Sequence, residues 1–346
     1  MKKVLIIRAS AIGDIVFASP FAQALKKTYP DIQISWLMEK GNEALMSDSP
    51  YVDECIVMPA AEWKSLWKSG KKLDAIKKIR AFGAELKARH FDAAIDLQGL
   101  LKSGIFAWMS KAPRRIGLGS REGSQWLMNE VVPRGGESRR ISSEYLHLAE
   151  KLGLDHSHFT PSLTVSATSE ERALEKLAAH GLQPGQYAVF AAFTTRPQKH
   201  WFTDAWQSLA LLIREKTGLT PVLLGGPGDM AAAETICSRA PDIVNLVGQT
   251  RLDEAVAVVA HAGALIGVDT GLTHMGIAFD IPTVALFGST CPYTNTTRDN
   301  AKVIWLGLPC SPCRRKPTCN GRFDCLREIT PENAMATLKS VLKSVP

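Results

Sequence analysis

An apolar run in the second half of the sequence ends in residues that could bind a diphosphate. The segment reads Gly267-Val-Asp-Thr-Gly-Leu-Thr-His274, which predicts a strand ending at Asp269 and a helix beginning after a Thr-Gly turn. Backbone N–H groups at a helix start attract anions, and a glycine there permits close approach. By itself, the same turn fits a simple helix cap better, and the diphosphate site is the alternative.

A second candidate site for phosphate oxygens is the loop that spans residues 193–201 (Phe-Thr-Thr-Arg-Pro-Gln-Lys-His-Trp) after another predicted strand. It offers two hydroxyls and two cations, and Lys199 would stabilise a leaving group whose negative charge grows in the transition state. Asp229, which ends the turn Gly225-Gly-Pro-Gly-Asp229, could hold a sugar hydroxyl. Trp201 is the tryptophan for which we would test ligand contact.

The first predicted strand, Val4–Ile7, leads into Arg8-Ala-Ser-Ala-Ile-Gly-Asp14. A dinucleotide-binding fold would place G-x-G-x-x-G here, and the missing glycines argue against a nicotinamide enzyme. Asp14 could present its carboxylate to a ligand at the mouth of a cleft, or it could cap the following helix. The segment alone does not choose between these roles.

The sequence contains no D-x-D pair, the paired acids with which many nucleotide-sugar enzymes hold a divalent metal. If a diphosphate is the ligand, Lys199 and helix N-termini must replace that cation.

Positioning these segments requires an α/β fold with two halves. Short apolar runs alternate with helical patterns, as in parallel sheets, and the alternation restarts after a Thr-, Ser- and Pro-rich stretch at 160–168. We therefore predict two doubly wound, Rossmann-like domains, residues 1–165 and 166–328, facing a central cleft. Ligands are expected there, beyond the carboxyl ends of the strands.

The overall composition is that of a globular protein. The chain has 346 residues, a formal charge of +7 and 45% hydrophobic residues, which excludes disordered, collagen-like and coiled-coil classes. No apolar run reaches the ~18 residues of a membrane span. Arg8 and Asp14 interrupt the N-terminal apolar segment, unlike a signal peptide, so we expect a cytoplasmic protein. Seven cysteines without a secretion signal argue against a disulfide framework.

Positive charge is concentrated in the first half. Nine Lys or Arg residues lie between Trp63 and His90 against two acids, and seven more lie between Lys111 and Arg140. Such a face can attract nucleic acid, anionic lipid or a phosphorylated substrate.

Four motifs occur in a set order along nearly the whole chain. They are Ile12-Gly-Asp14, Asp96-Leu-Gln-Gly-Leu-Leu-Lys102-Ser, Thr194-Thr-Arg-Pro-Gln-Lys199-His-Trp and Asp269-Thr-Gly-Leu-Thr-His274. Together they resemble glycosyltransferase family 9, the ADP-heptose:lipopolysaccharide heptosyltransferases. The second motif, with Arg115-Ile-Gly and Ser120-Arg-Glu downstream, resembles the type I enzymes, which add the first heptose to the Kdo of the inner core.

The resemblance implies a GT-B architecture that binds the acceptor in the first domain and ADP-heptose in the second. It implies transfer with inversion and no required metal, with Asp14 as general base and Lys199 as a second catalytic residue that binds the diphosphate. A C-terminal helix within residues 329–346 is expected to pack back on the first domain. The implied donor-binding residues are Thr194, Thr195, Lys199, Asp229, Asp269, Thr270, Gly271 and His274, and the implied acceptor-binding residues are Ser10, Gly13, Gln98, Lys102 and Arg121.

The expected partners are therefore ADP-heptose, a Kdo-lipid A acceptor and the anionic inner face of the inner membrane. The protein is expected to bind that membrane surface peripherally, through its basic first half. Nucleic acid and a cofactor are not expected, and the oligomeric state is left open.

Four cysteines near the C-terminus form the pattern Cys310-x2-Cys313-x5-Cys319-x5-Cys325. Four thiolates could bind a structural zinc, but only the first pair has the usual spacing. Reduced, loop-stabilising cysteines are the favoured interpretation, and zinc is the alternative.

Other functions remain open at this point. Within the family, a type II enzyme or a transferase for another nucleotide sugar fits. A nucleotide-sugar epimerase of the same fold would form product without an acceptor. A basic protein that binds membranes or nucleic acid would bind in a salt-sensitive way and ignore ADP-heptose.

Overall fold

A computed structural model describes residues 1–343 and divides the chain into two units. The first comprises Met1–Glu137 and Ser142–Thr164, and the second comprises Ser138–Ile141 and the chain from Val165 onward. The main change of unit, at Thr164, falls beside the predicted boundary at residue 165.

The short segment Ser138–Ile141 was not foreseen as part of the second unit. It is held there by backbone hydrogen bonds, in which Ile141 N–H donates to the Asn295 carbonyl (2.9 Å) and Asn295 N–H donates to the Arg139 carbonyl (2.7 Å).

The first unit is a six-stranded sheet with five α-helices and two 3-10 helices. The elements are β1 (Lys3–Ile7), α1 (Ile12–Thr28), β2 (Gln33–Glu39), a 3-10 helix (Glu43–Leu45), β3 (Glu54–Met58), α2 (Ala60–Lys68), α3 (Lys72–Ala88), β4 (Ala93–Asp96), α4 (Leu101–Met109), β5 (Arg114–Leu118), a 3-10 helix (Ser124–Leu127), β6 (Glu130–Val132) and α5 (Ser143–Lys151).

All strand pairs of this sheet are parallel, in the order β3-β2-β1-β4-β5-β6. Strands β2 and β3 are added on one side of β1, and β4, β5 and β6 are added on the other side. The direction in which strands are added therefore reverses between β1 and β4. Loops diverge at such a reversal and leave a crevice for ligands. Asp14 follows β1 and Gln98 follows β4, so both lie at this point of the sheet.

The second unit repeats this arrangement with six strands, seven α-helices and two 3-10 helices among the described residues. The elements are α6 (Ala167–Ala178), β7 (Tyr187–Ala191), a 3-10 helix (Pro197–Lys199), α7 (Thr203–Thr217), β8 (Thr220–Leu223), a 3-10 helix (Pro227–Asp229), α8 (Met230–Cys237), β9 (Val244–Asn245), α9 (Leu252–Ala260), β10 (Ala264–Val268), α10 (Gly271–Ala278), β11 (Thr283–Phe287), β12 (Ala301–Trp305), α11 (Asp324–Arg327) and α12 (Pro331–Leu342).

The second sheet is also parallel, in the order β12-β11-β10-β7-β8-β9, and reverses between β7 and β10. Gly267 lies in β10 at this junction, where a Cβ atom would stand 2.6 Å from the Ala191 Cβ and 2.1 Å from the Thr273 Oγ1. The glycine therefore lets β7, β10 and α10 close on one another. The predicted pair of doubly wound parallel sheets is confirmed.

Both sheets are covered on their two faces, so their central strands are buried throughout; β1 residues Val4–Ile7 and all of β10 have essentially no exposed surface. Buried parallel strands read as continuous apolar runs, which explains why the sequence pattern located them.

The C-terminal helix packs differently from the expectation. Its buried residues Ala334, Met335, Leu338 and Val341 belong to the same apolar cluster as Trp206 and other α7 residues of the second unit. The prediction that residues 329–346 pack back on the first domain is therefore wrong for the described residues 329–343, and residues 344–346 lie outside the described part.

The reason lies in the turn before α12. The Trp201 indole N–H, after β7, donates to the carbonyls of Leu326 (3.1 Å) and Ile329 (3.0 Å). Because the chain is already fixed against the second unit at Ile329, the apolar stripe of α12 meets α7 directly.

The basic run of the first half forms α2 and α3, whose lysines and arginines lie mostly at the surface. No helix within residues 1–343 combines the length and apolar character needed to cross a bilayer.

Candidate functional site

Asp269, at the end of β10, is the centre of a polar cluster. Its side chain is 12% exposed, and its Oδ2 lies 2.7 Å from the Lys199 Nζ and accepts a hydrogen bond from the Thr290 hydroxyl. Its Oδ1 lies 3.3 Å from the His274 Nε2. One carboxylate thus joins the loops after β7 and β11 to helix α10.

The charge of Asp269 is fixed by these neighbours. Burial alone would raise the pKa of its carboxyl group, but the hydrogen bond and charge of His274 and the charge of Lys199 lower the pKa well below its usual range. The carboxylate is therefore ionised throughout the physiological pH range.

His274 is held on its other side by Tyr293. The imidazole Nδ1 lies 2.7 Å from the phenolic oxygen of Tyr293, and burial raises the pKa of this phenol well above 10. The phenol thus keeps its proton, and the chain Tyr293–His274–Asp269 fixes the imidazole in one orientation.

The loop after β7 is tied to the same carboxylate residue. Lys199 Nζ also donates to the main-chain carbonyl of Asp269 (3.3 Å), as does the Thr194 hydroxyl (3.4 Å). Thr270 and Gly271 open α10, whose first N–H groups have no intrahelical acceptor by helix geometry. Hydroxyls, an ammonium group and a helix start therefore converge on one edge of the sheet.

A cavity of about 740 Å³ adjoins this cluster and is lined by residues of the second unit. Its volume is within the range of small-molecule sites, roughly 300–1,000 Å³. Asp269 and Thr290 contribute to its wall, and four of its other lining residues are cations: Arg196, Arg314, Arg315 and Lys316. The cavity is thus suited to an anionic ligand.

Two predicted donor-binding residues follow neighbouring strands of the same sheet without joining this cluster. Asp229 follows β8, the strand next to β7, and its Oδ2 accepts the Gly226 N–H of its own turn (2.9 Å). Thr195 is exposed in the loop after β7. Their contact with a donor stays a prediction.

In the first unit, Asp14 is the third residue of α1. Its Oδ2 lies 2.6 Å from the Arg8 Nη2 and accepts the Ala11 N–H at the helix start (3.3 Å), yet its side chain is 42% exposed. Ser10 and Gly13 lie in the same turn. Both contacts use Oδ2, so Asp14 can cap the helix start while its other carboxylate oxygen stays available to a substrate.

The other predicted acceptor residues have different environments. Gln98 is buried, and its side-chain carbonyl accepts the Ala9 N–H (3.1 Å), so it supports the loop before Asp14. Lys102 forms an exposed ion pair with Glu39 (3.2 Å), and Arg121 is exposed. Acceptor binding by these residues stays a prediction.

Three features differ from the sequence analysis. Thr290 and Tyr293 were missed, although polar residues directly after the buried strand β11 are a usable signal. Trp201 is only 4% exposed, and its indole N–H is bonded to the main chain. The suggestion that Trp201 contacts a ligand is wrong because its ring belongs to the core.

The four C-terminal cysteines, Cys310, Cys313, Cys319 and Cys325, carry free thiols. Within residues 1–343, no group of three or more His, Cys, Asp or Glu side chains is arranged to hold a metal ion. Burial and the three neighbouring thiols raise the pKa of Cys325 to about 11, so it is protonated at neutral pH. Zinc binding is a question for elemental analysis of the purified protein.

Comparisons with known proteins found similar chains. The chain is similar to lipopolysaccharide heptosyltransferase 1 of Salmonella typhimurium, at 29% identity over an alignment of 304 positions that covers 84% of this chain and 89% of the relative. It is similar to lipooligosaccharide heptosyltransferase 2 of Haemophilus influenzae, at 27% identity over an alignment of 358 positions that covers 98% of this chain and 99% of the relative.

The fold also matches a solved structure, the E. coli ADP-heptose LPS heptosyltransferase II. The TM-score is 0.77 with 25% sequence identity, and the match covers 99% of each chain. A family profile, "Glycosyltransferase family 9 (heptosyltransferase)", matches residues 79–323, which is more than half of the sequence. The chain therefore belongs to glycosyltransferase family 9, the heptosyltransferase family.

Proposed function

We propose that this protein transfers heptose from ADP-heptose to the Kdo of the lipopolysaccharide inner core, with inversion at the anomeric carbon. The observation that carries the proposal is the cationic cavity beside the Lys199–Asp269–His274 cluster at the strand reversal of the second unit. A nucleoside diphosphate sugar carries its negative charge in the diphosphate, which such a cavity complements.

Lys199 is the residue proposed to receive the leaving group. An ammonium group has three N–H donors, and the Asp269 carboxylate and carbonyl account for two of them. The third donor is available for a phosphate oxygen, and the start of α10 can stabilise the same diphosphate.

The proposed reaction is a single displacement. The acceptor hydroxyl oxygen forms a bond to C1 of heptose while the bond from C1 to the β-phosphate oxygen breaks, and ADP leaves. Asp14 takes the hydroxyl proton as general base, which is worth ~10²–10⁴ in rate. A single displacement from the opposite face inverts the anomeric carbon.

A bridging divalent cation is not required in this proposal. The absence of a D-x-D pair from the sequence supports it, as do the side-chain cations of the cavity, which neutralise charge where a metal otherwise would.

We propose the first heptose as the one transferred, because the segment Asp96–Ser103 resembles the type I enzymes. Relatives named for the first and the second transfer have similar identity to this chain, so the acceptor must be tested. The exposed basic helices α2 and α3 support peripheral binding to an anionic membrane on the cytoplasmic side.

The test is a mass-shift assay with ADP-heptose and either Kdo-lipid A or the mono-heptosylated acceptor, with and without EDTA. The expected result is one heptose added to Kdo-lipid A at a rate that EDTA does not change. Preference for the heptosylated acceptor would overturn the type I assignment, and loss of turnover with EDTA would overturn metal independence. Product formed without any acceptor would overturn transferase activity.

A further inference from the structure

Three consecutive cations, Arg314, Arg315 and Lys316, reach the cavity from the cysteine-rich segment after β12. We call Ser311–Lys316 the basic loop. None of its residues belongs to the motifs from which the donor site was predicted.

The basic loop is bonded to the segments that follow β7 and β11, each of which also contributes a lining residue to the cavity. Arg314 N–H donates to the Ser289 carbonyl (2.7 Å) at the end of β11, and the Gln198 side-chain amide donates to the Arg314 carbonyl (2.9 Å). Gln198 directly precedes Lys199, so the main chain of Arg314 is held next to the residue proposed to bind the diphosphate.

The cysteine-rich segment is also held in place by contacts at the start of the basic loop and after its end in sequence. The Ser311 hydroxyl donates to the Gly288 carbonyl. A Cβ atom at Gly288 would stand 2.6 Å from the Leu326 Cγ and 2.9 Å from the Cys325 Sγ, so a glycine is needed for the segment to pack here. The position of the basic loop is thus built by specific contacts on its flanks.

The charges of this loop are not compensated. Within residues 1–343, no carboxylate forms an ion pair with Arg196, Arg314, Arg315 or Lys316, whereas Arg322 of the same segment pairs with Asp324 (3.1 Å). Like charges gathered at one cavity repel each other unless an anion binds between them.

We propose that the basic loop is a second anion subsite of this cavity, which binds a phosphate or carboxylate group of a substrate alongside Lys199. The proposal rests on the proposed function for the identity of that substrate. Arginine is suited to the task because its planar fork donates two parallel hydrogen bonds to such a group. The group can come from the diphosphate of the donor or from an anionic group of the acceptor.

The experiment compares the full-length protein with the triple variant R314Q/R315Q/K316Q by calorimetric titration with ADP and with inorganic pyrophosphate, followed by steady-state kinetics for each substrate. R322Q is the matched control, since it removes a cation of the same segment that does not line the cavity. The side chains of Arg314, Arg315, Lys316 and Arg322 are exposed, so the melting temperatures of the variants should agree with that of the wild type. If the triple variant does not fold, the single variant R315Q replaces it.

The expected result is a Kd for pyrophosphate that is about ten- to hundredfold larger in the triple variant than in the wild type. The Kd of R322Q should be close to that of the wild type. An equal loss for ADP assigns the subsite to the donor. Unchanged ADP affinity with a raised KM for the acceptor and unchanged kcat assigns it to the acceptor. R314K/R315K, which keeps the charge without the fork, should lose less than the glutamine variant.

Two results would overturn the subsite: no pyrophosphate binding by the wild type, or equal Kd and KM values in the wild type and the triple variant. Failure of the proposed function is distinguishable, because the wild type would then not transfer heptose while its pyrophosphate affinity would still exceed that of the triple variant.

Discussion

The two sheets have the same strand order, and each has an aspartate at the end of the strand beyond its reversal, but the pKa values of the two carboxyl groups are shifted in opposite directions. Asp96, at the end of β4, has no exposed surface and accepts hydrogen bonds from the Gln98 and Gly99 N–H groups and the Ser103 hydroxyl. Burial raises the pKa of Asp96. Asp269, after β10, has cationic partners that lower its pKa.

The loops after the first strand of each unit also differ, here in the type of residue that they present. The loop after β1 presents the acid Asp14 and the loop after β7 presents the cation Lys199. The shared topology therefore fixes where functional groups stand, while the residues in each loop decide the chemistry of those groups.

The largest expected effect comes from Asp14→Asn. Without a base to accept the hydroxyl proton, kcat should fall at least 100-fold, while the Kd for ADP stays within twofold because the predicted donor residues are in the other unit. Steady-state kinetics and calorimetry measure both values.

Asp74→Asn is the matched control, since Asp74 is an exposed acid at the third residue of α3, as Asp14 is of α1. Its kcat should equal that of the wild type. Near-normal turnover in Asp14→Asn would remove Asp14 from the role of base.

Asp269→Asn should damage stability as well as binding. It leaves the partly buried Lys199 ammonium and the buried His274 without their carboxylate. Loss of one partner of a fully buried pair costs about 3–5 kcal/mol, so we expect a loss approaching that range. Urea unfolding should show this loss, and ADP binding should weaken strongly. Asp280→Asn, which breaks the exposed pair with Arg298 (3.1 Å), should cost less than about 1 kcal/mol; equal losses would refute the structural role of Asp269.

Acid should reduce the difference in stability between the wild type and Asp269→Asn. The folded-state pKa of Asp269 is below the unfolded value of about 4, so the unfolded chain binds the proton more readily. The stabilising contribution is therefore complete at pH 7 and is lost as pH falls below about 4. Urea unfolding from pH 7 to pH 3 should show the difference between the two proteins shrinking; a constant difference would contradict the assignment.

The smallest effect is expected for Tyr293→Phe, which removes the hydroxyl next to His274 (2.7 Å). Stability should fall by about 1 kcal/mol, and ADP should bind a few-fold more weakly because the imidazole loses its fixed orientation. Tyr187→Phe is the control: its buried hydroxyl donates to the Val258 carbonyl (2.6 Å), so it should cost similar stability and leave ADP affinity unchanged. Equal affinity in both variants would exclude Tyr293 from the site.

The sequence pattern located the buried central strands and the residues that follow them, because such strands are continuous apolar runs. It missed strands with a weaker signal. β3 alternates between buried and exposed residues at a sheet edge, and β5 begins with the exposed Arg114 and the partly buried Arg115. Local periodicity carries little information where a strand is only partly covered.

What the sequence determined by itself was the repeat of two parallel α/β halves and the acids and cations at the strand ends, since both follow from neighbours along the chain. Only the tertiary structure decided that α12 stays on the second unit, that Thr290 and Tyr293 join Asp269, and that the basic loop borders the cavity. These contacts join residues far apart in sequence, and they depend on which loops the order of strands brings to one edge of the sheet.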